Sequence, residues 1–248
     1  MNQTPGDRNK TDGYNCNLCM NRGYFMKLVE KNGIFYETAY DCKCMPIRRS
    51  IMRMKRSGLQ DVIRDCTFDK WETTEEWQKN VKAVAVAYAQ NPNGWFFIGG
   101  QPGSGKTRLC STICRELLLS GKELIYMQWR EDTRKLKAQI KEPEQQQKRL
   151  DELKNAEVLY IDDLFKCGKN QDGSPQRPTS ADVNLAFEIL NFRYNKPDSL
   201  TIISSELSPT ELLEVDEATG SRIFDRSKPY EIERDKAKNY RIKNLIKF

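Results

Sequence analysis

The chain has 248 residues, of which 38% are apolar and 31% carry a charge, and it contains eight cysteines and no histidine. No apolar run approaches the ~18–20 residues of a membrane span, and the first ten residues lack the apolar segment of a signal peptide, so we expect a cytosolic protein with reduced cysteines. The net charge of +6 belongs entirely to residues 1–58, which contain 11 Lys and Arg and 5 Asp and Glu. This uneven distribution of charge predicts two domains, 1–58 and 59–248.

The first predicted element is a small metal-binding hairpin. Two close pairs of cysteines, Cys16 with Cys19 and Cys42 with Cys44, bracket 22 residues. The intervening stretch is rich in strand-forming residues on both sides of the Asn-Gly dipeptide at 32–33, which is typical of a tight hairpin turn. Four thiolates could hold one tetrahedral Zn²⁺ with no open position, which favours a structural zinc site. The alternative is four reduced cysteines without a ligand.

A basic helix is predicted next, over "IRRSIMRMKRSG" (47–58). Its apolar side chains fall on one face: Ile47, Ile51 and Met54. Its basic side chains are predicted to be unopposed by any acid: Arg48, Arg49, Arg53, Lys55 and Arg56. Such a helix could contact nucleic-acid phosphates, dock in a partner's groove, or be a solvated tether, with 57–58 as the linker.

The glycine-rich stretch "GGQPGSGKTR" (99–108) predicts a phosphate-binding loop. It fits G-x-x-x-x-G-K-[ST], with an apolar strand before it at 94–98 and a helix after it at 107–120. Backbone amides and the helix N-terminus would hold the β-phosphate, Lys106 would bridge the β- and γ-phosphates, and the Thr107 hydroxyl would ligate Mg²⁺. The predicted nucleotide-binding residues of the loop are Gly100, Gly103, Ser104, Gly105, Lys106, Thr107 and Arg108.

A second apolar strand, "AEVLYIDDLFK" (156–166), ends in two carboxylates. We expect Asp162 to hold Mg²⁺ and Asp163 to polarise the attacking water. Two surface acids at a strand end are the alternative. An aspartate reaches less far than a glutamate, so hydrolysis should be slow.

The third strand, "SLTIISSE" (199–206), also ends in polar groups. Either Ser205 or Glu206 could sense the γ-phosphate or orient the water, and both could be ordinary strand-end residues. With two further strands at 123–128 and 229–233, the pattern predicts an α/β fold with a five-stranded parallel sheet and crossover helices.

An arginine lies past an acidic helix in "GSRIFDR" (220–226). In that position Arg222 could act on the γ-phosphate of a neighbouring subunit. Spacing alone favours an ion pair with a nearby acid instead. The candidate acids are Asp216, Glu217 and Asp225.

Taken in order, GQPGSGKT, YIDDLFK, IISSE and GSRIFDR resemble the bacterial replicative-helicase loaders and their phage-encoded relatives, which are AAA+ ATPases of the initiator clade. The resemblance covers about residues 59–248, and the cysteine-paired N-terminus also resembles theirs. It implies that Phe68 of "TFDKW" lies over the adenine and that Arg222 is the arginine finger.

The resemblance further implies that the N-terminal module grips the hexameric helicase, while ATP-bound subunits assemble side by side and hold single-stranded DNA. The stretch 128–150 would supply the clade's extra helix, although its composition equally predicts a solvated surface helix. Its DNA-facing residues would be Arg130, Arg134, Lys135 and Lys137.

The resemblance therefore implies an ATP-dependent loader of a replicative helicase onto single-stranded DNA. The cofactors would be ATP, Mg²⁺ and Zn²⁺. Hydrolysis would be slow and would be stimulated by assembly or by DNA. The protein would act in the cytoplasm of a bacterium or of a phage-infected host and would have no membrane partner. Two alternatives are a transposition helper that binds duplex DNA and a weakly hydrolysing, nucleotide-gated adaptor that binds a host replication protein.

Two features depart from the family pattern. Glu206 stands where the family often has asparagine. The segment after the last strand, "RDKAKNYRIKNLIKF", is too short for the usual helical lid, which leaves Arg241 as the nearby candidate for a second sensing arginine. The basic residues of this segment could instead contact the DNA backbone.

Overall fold

The structure, a computed structural model, describes residues 4–56, 66–139, 142–168 and 176–242. The helices in these ranges are α1 (Arg8–Asp12), α2 (Met45–Arg56), α3 (Glu76–Gln90), α4 (Lys106–Leu119), α5 (Trp129–Ala138), α6 (Pro143–Asn155), α7 (Ser180–Tyr194), α8 (Pro209–Val215) and α9 (Glu217–Arg226). The strands are β1 (Tyr24–Lys31), β2 (Ile34–Asp41), β3 (Trp95–Gly100), β4 (Leu124–Gln128), β5 (Val158–Leu164), β6 (Leu200–Ser205) and β7 (Tyr230–Ile232). Single 3₁₀ turns cover Phe68–Lys70 and Lys236–Lys238.

Strands β3 to β7 form one parallel sheet in the order β4-β5-β6-β3-β7, which confirms the predicted five-stranded α/β fold. Helices cover both faces of this sheet, so its strands are continuous apolar runs. In β3, Phe96 and Ile98 pack with α3 and α4 on one face, while Trp95 and Phe97 pack with α5 to α9 on the other. Because all five strands are parallel, the loops that follow them meet along one edge of the sheet.

The N-terminal hairpin is also confirmed. Strands β1 and β2 pair antiparallel from Tyr24 opposite Asp41 to Lys31 opposite Ile34. The turn residues Asn32 and Gly33 have φ of +57° and +78°, the left-handed values that a two-residue turn of this kind requires. Every side chain of β2 is exposed.

Helix α2 packs against the edge of the parallel sheet. The Ser50 hydroxyl accepts a hydrogen bond of 3.0 Å from the backbone N–H of Leu124, the first residue of β4. Helix α2 therefore contacts the parallel sheet at β4. The predicted linker at 57–58 and the predicted boundary between 58 and 59 lie outside the described residues.

The prediction that the basic residues of α2 face no acid is wrong for two of them. Arg48 is buried and forms an ion pair of 2.6 Å with Asp12, 36 residues earlier. Arg49 lies 3.1 Å from a carboxylate oxygen of Asp41 and 3.4 Å from one of Glu123. Acids distant in the sequence thus neutralise part of this helix. The side chains of Arg53, Met54 and Arg56 are outside the described set.

The stretch 128–150 forms the end of β4, helix α5 and most of α6, with residues 140–141 outside the description. It is more firmly anchored than its charged composition predicts, because α5 buries Trp129, Thr133 and Leu136 against the sheet. Across the described ranges, we find no helix with the length and apolar character needed to traverse a bilayer.

Candidate active site and metal centre

The phosphate-binding loop lies between β3 and α4, as its sequence predicts. Gly100, Gly103 and Gly105 have φ of +98°, +75° and +89°, a backbone shape that side chains other than glycine rarely adopt. Helix α4 begins immediately after this turn, so its unpaired N–H groups face the loop.

A cavity of 530 Å³ opens above this loop. The residues that line it come from the loop, from the ends of β5 and β6, from the segment before α3 and from the C-terminal segment: Lys70, Trp71, Glu72, Gly103, Gly105, Lys106, Thr107, Arg108, Asp163, Lys166, Glu206, Tyr240 and Arg241. Two predicted loop residues do not line it. Gly100 accepts a hydrogen bond from Lys106, and the buried Ser104 hydroxyl donates to the carbonyl of Gln101.

Lys106 is held in the loop by backbone carbonyls. Its Nζ donates to the carbonyl oxygens of Gly100 at 2.8 Å and Gln101 at 2.7 Å. Burial lowers the pKa of Lys106 to about 8, although the charges of Asp163 and Glu206 favour its protonated form. A phosphate placed in the loop would add negative charge beside this amine and favour the ammonium.

Asp162 is the centre of a network of hydroxyl groups. Its Oδ1 accepts hydrogen bonds from Thr107 Oγ1 at 2.9 Å, from Tyr160 OH at 2.7 Å and from Ser204 Oγ at 2.6 Å. Its Oδ2 accepts one from Tyr126 OH at 3.0 Å. Sequence reasoning found Thr107 and Asp162 but missed the other three, because their positions within apolar strands gave no sign that their hydroxyls share one carboxylate.

The residues around Asp162 fit Mg²⁺. Thr107 lines the cavity, and Asp162, which is buried and not among the lining residues, accepts the hydrogen bond of its hydroxyl. A carboxylate and a hydroxyl are hard oxygen donors, the ligand type that this ion takes beside phosphates. Tyr126 and Tyr160 remain protonated donors to this carboxylate, since burial and the nearby charge of Asp162 raise the pKa of both phenols.

Asp163 faces the cavity from an irregular end of β5. The pairing of β5 with β6 shifts register between Ile161 and Leu164, and Asp163 has φ of +58°. Burial, followed by the charge of Asp162, raises the pKa of Asp163, while an ion pair of 2.7 Å with Lys166 opposes that increase.

The two candidates at the end of β6 point in different directions. Ser205 is buried, and its hydroxyl donates to the carbonyl of Leu164 at 2.8 Å and accepts from the N–H of Leu207 at 3.1 Å. Glu206 lines the cavity and lies 2.9 Å from Lys166 Nζ. The geometry therefore brings Glu206, and not the Ser205 hydroxyl, to the phosphate side of the site.

The aromatic wall of the cavity differs from the expected one. Phe68 packs, partly buried, against the core and is not among the lining residues, whereas Trp71 and Tyr240 line the cavity close to Gly105. The Tyr240 N–H donates to the carbonyl of Gly103 at 3.0 Å, and its hydroxyl accepts from Gln78 at 2.6 Å. Sequence reasoning assigned no role to either aromatic residue. Tyr240 lies 135 residues beyond Gly105 in the chain, and no local pattern indicates that the two meet.

The C-terminal segment therefore closes one side of the site. Asn239 lies directly over Gly103, where an added Cβ would stand 2.0 Å from its Oδ1. Arg241, the candidate second sensor, is among the lining residues. Two other basic residues of this segment are paired with acids, Arg234 with Glu211 at 2.9 Å and Lys238 with Glu233 at 3.5 Å.

Arg222 lies on α9, outside the cavity of its own chain. Its guanidinium group donates to the side chain of Asn191 at 2.9 Å and to the carbonyl of Ala218 at 2.6 Å, and it stacks over the rings of Phe187 and Tyr194. The predicted ion pair is wrong: none of the ion pairs found among the described residues joins Arg222 to the three candidate acids. Aromatic side chains of α7, which the sequence did not point to, support the guanidinium instead.

The basic residues predicted to face DNA lie on α5. Arg134 and Lys135 are exposed and pair with Glu131 of the same helix at 3.0 Å and 3.6 Å. Lys137 forms a closer pair, 2.5 Å, with Asp182 of α7, and Arg130 is exposed.

The four N-terminal cysteines converge in one buried cluster. Their sulfur atoms all lie within 4.8 Å of one another, and the pairs Cys16–Cys42 and Cys19–Cys44 are 3.8 Å and 3.7 Å apart. Tetrahedral zinc–sulfur bonds of about 2.3 Å place sulfur atoms about 3.8 Å apart, so the donor set fits Zn²⁺. Each strand of the hairpin starts or ends beside a cysteine pair, so one ion would fasten its base.

Hydrogen-bond donors around the cluster stabilise the thiolate form of the cysteines. The N–H of Gly23 lies 3.2 Å from Cys19 Sγ, and the Nε of Arg48 lies 3.3 Å from Cys44 Sγ. Burial alone would raise the pKa of Cys19, but the Gly23 N–H and the neighbouring thiols lower that pKa to about 7. Arg48, a residue of α2, thus links the cysteine cluster to Asp12.

Sequence comparison connects this fold and site to known proteins. The profile of the ATPase family associated with various cellular activities (AAA) matches residues 96–224. The phage-like element PBSX protein XkdC of Bacillus subtilis (strain 168) is 30% identical over 233 residues, which cover 88% of this chain and 81% of XkdC. The replicative helicase loader DnaC of Escherichia coli (strain K12) is 29% identical over 113 residues, which are 44% of this chain and 46% of DnaC.

Comparison of structures gives the same fold. A crystal structure of the DnaC helicase loader superimposes with a TM-score of 0.58 and 20% identity, covering 68% of this chain and 98% of that one. At this identity the likeness establishes the fold alone. The aligned sequence also covers less than half of the DnaC chain.

Proposed function

The chain belongs to the AAA family of ATPases, and from this premise we propose that it loads a hexameric replicative DNA helicase onto single-stranded DNA during replication initiation. The observation that carries the proposal is the phosphate-loop cavity, which brings Lys106, Thr107 and Asp163 together. Similarity to DnaC, which is named a replicative helicase loader, supports the choice of helicase loading among the activities of this family.

We assign the nucleotide chemistry to residues that line the cavity and to Asp162, which Thr107 contacts. The loop amides and Lys106 would bind the β- and γ-phosphates, while Thr107 and Asp162 would hold Mg²⁺. Bound Mg²⁺ would neutralise the charge that develops on the phosphates. Asp163 would accept a proton from the attacking water, because its carboxylate enters the cavity beside Lys106.

Hydrolysis would depend on a neighbouring copy of the chain. Arg222 is half-exposed and lies outside its own cavity, and the rings of Phe187 and Tyr194 hold its guanidinium group in place. A preorganised cation of this kind could reach the γ-phosphate of an adjacent subunit. ATP would then join subunits side by side, and a solitary subunit would hydrolyse slowly.

The zinc-held hairpin is proposed as the helicase contact, in a module of residues 1–58 that precedes the ATPase domain of residues 59–248. Its strands expose apolar side chains that do not line the nucleotide cavity, including Leu28 at 69% and Phe35 at 65% of their surface. Exposed apolar groups on a small, metal-fastened hairpin are suited to burial against a protein partner.

Single-stranded DNA would bind a surface of the assembled ATPase domains. The exposed Arg130, Arg134 and Lys135 of α5 supply positive charge for phosphate contacts. A protein with this role acts in the cytoplasm of a bacterium or of a phage-infected cell.

A pull-down of the replicative helicase tests the proposal. We would compare the wild-type chain with ATP, with ADP and after zinc chelation, and include Lys106→Ala, with Lys122→Ala of a surface ion pair as the matched control. We expect helicase capture and loading onto single-stranded DNA with ATP, and no nucleotide-dependent assembly by Lys106→Ala.

Other outcomes would assign another role. Unchanged ATP binding by Lys106→Ala would remove the nucleotide assignment. ATP-dependent coating of duplex DNA without helicase capture would indicate a transposition helper. Helicase capture that blocks loading, without measurable hydrolysis, would indicate an adaptor.

A further inference from the structure

Lys166 forms an ion-pair triad at one end of the nucleotide cavity. Its Nζ lies 2.7 Å from Asp163 Oδ2 and 2.9 Å from Glu206 Oε1. All three side chains line the cavity, and each is about one-quarter to one-third exposed. The sequence predicts separate catalytic roles for Asp163 and Glu206 and no role for Lys166.

The backbone after β5 is shaped to deliver this lysine. Asp163 and Phe165 have φ of +58° and +61°, and the N–H of Lys166 donates to the carbonyl of Asp163 at 2.9 Å. Phe165 is 3% exposed and its ring packs edge-on against Trp129, with ring centroids 5.5 Å apart. The left-handed backbone conformation is unfavourable for residues other than glycine. The packing of Phe165 therefore holds the turn in a strained geometry that places Lys166 over Asp163.

The triad lies where a third phosphate would be bound. Lys106 and Thr107 would lie at the junction between the β- and γ-phosphates. Asp163 and Glu206 line the same cavity, and their charges favour the protonated form of the Lys106 amine. Two carboxylates without a counter-ion would repel a γ-phosphate strongly in a partly desolvated cavity. A β-phosphate held by the loop amides is farther from them and would feel this repulsion less.

We propose that Lys166 is a specificity-determining residue of the nucleotide site: its ammonium group offsets part of the negative charge of Asp163 and Glu206, so that the cavity accepts a nucleoside triphosphate in preference to a diphosphate. The inference rests on the proposed function, because it requires that ATP occupies this cavity. It also accounts for Glu206, since a carboxylate near the γ-phosphate is tolerated when a lysine from the adjacent strand end pairs with it.

The test compares ATP and ADP affinity in four proteins: wild type, Lys166→Met, Glu206→Gln and the double variant. Calorimetric titration with Mg²⁺-ADP and with a non-hydrolysable ATP analogue gives both dissociation constants. Lys79→Met removes the lysine of another ion pair with the same three-residue spacing, 3.1 Å from Glu76 on the outside of α3, and is the matched control.

We expect Lys166→Met to weaken binding of the ATP analogue about tenfold, the effect of one uncompensated charge worth ~1.4 kcal/mol. ADP affinity should stay within about twofold, the usual limit of indirect effects. Adding Glu206→Gln should restore most of the lost analogue affinity, because it removes one of the two unpaired charges. Lys166→Arg should retain discrimination, and Lys79→Met should change neither constant.

Equal losses for ATP analogue and ADP in Lys166→Met would overturn the proposal and assign Lys166 a structural role. Undiminished discrimination, or no recovery in the double variant, would overturn it as well. Failure of the wild-type chain to bind the ATP analogue would contradict the proposed function instead, so the two failures are distinguishable.

Discussion

Thr107 Oγ1 donates a hydrogen bond of 2.9 Å to Asp162 Oδ1 and so joins the first turn of α4 to the end of β5. The two residues are 55 positions apart in the sequence. Their contact holds the two proposed Mg²⁺ ligands together beside the phosphate-binding loop.

Replacement of Thr107 by valine should weaken Mg²⁺-dependent ATP binding. Valine keeps the shape of threonine but removes the hydroxyl that would ligate the ion. We expect affinity for Mg²⁺-ATP to fall about tenfold, or ~1.4 kcal/mol, and affinity for ATP in EDTA to change little. Titration calorimetry with and without Mg²⁺ measures both.

Thr112→Val is the matched control for this variant. Thr112 lies on the same helix, and its hydroxyl donates to the carbonyl of Arg108 rather than entering the cavity. Equal effects of the two valines on Mg²⁺-ATP binding would show that Thr107 only stabilises α4.

Gly103→Ala should disturb both the phosphate-binding loop and the C-terminal segment. The added Cβ would stand 2.0 Å from Asn239 Oδ1, and φ at this position is +75°. Gly13→Ala is the control, because Gly13 has the same φ but no atom lies within 4 Å of an added Cβ. It therefore measures the backbone strain alone, which should cost ~1–2 kcal/mol.

Both alanine variants should lower the midpoint of thermal unfolding. Only Gly103→Ala should weaken ATP binding, by about tenfold. Nucleotide titration and thermal unfolding of the two variants measure these effects. Wild-type ATP affinity in Gly103→Ala would show that contact between Asn239 and the loop does not shape the cavity.

Cys19→Ser should release the metal and unfold the hairpin without affecting ATP binding. Coordination of structural zinc and folding are coupled, so losing one thiolate removes much of the energy that holds β1 to β2. We expect a large loss of bound zinc, faster amide hydrogen exchange over 24–41 and ATP affinity within about twofold of wild type.

Cys167→Ser provides the comparison, since Cys167 lies outside the cluster, with its Sγ 3.4 Å from the carbonyl oxygen of Phe165. It should retain the zinc. Loss of zinc and of ATP binding together in Cys19→Ser would contradict the division into two modules.

Arg222→Ala should abolish hydrolysis while leaving ATP affinity intact, because this arginine lies outside its own cavity. We expect the turnover rate of the assembled protein to fall by on the order of a thousandfold, the usual effect of losing an arginine finger. Arg226→Ala, on the same helix, removes a guanidinium that donates to the carbonyl of Pro197 and should hydrolyse normally.

Mixed assemblies test the action between subunits. Lys106→Ala subunits still carry Arg222, so mixing them with Arg222→Ala subunits should restore hydrolysis at interfaces where each supplies what the other lacks. No recovery in the mixture would assign Arg222 the structural role of joining α9 to α7.

Local patterns in the sequence predicted much of the fold. The five strands lie within two residues of their predicted bounds, and the Asn32-Gly33 turn forms as expected. These features depend on neighbouring residues, because apolar runs, turn dipeptides and a glycine-rich loop before a helix encode backbone shape over short distances.

The sequence by itself determined that a phosphate-binding loop, a strand ending in Asp162 and Asp163, and two cysteine pairs exist. Only the tertiary structure decided which side chains complete them: Ser204 beside Asp162, Tyr240 over the loop, Arg48 beside Cys44, and Lys166 between Asp163 and Glu206. Most of these contacts join residues far apart in the chain. Their geometry follows from strand register and from the path of the connecting segments, which no local pattern specifies.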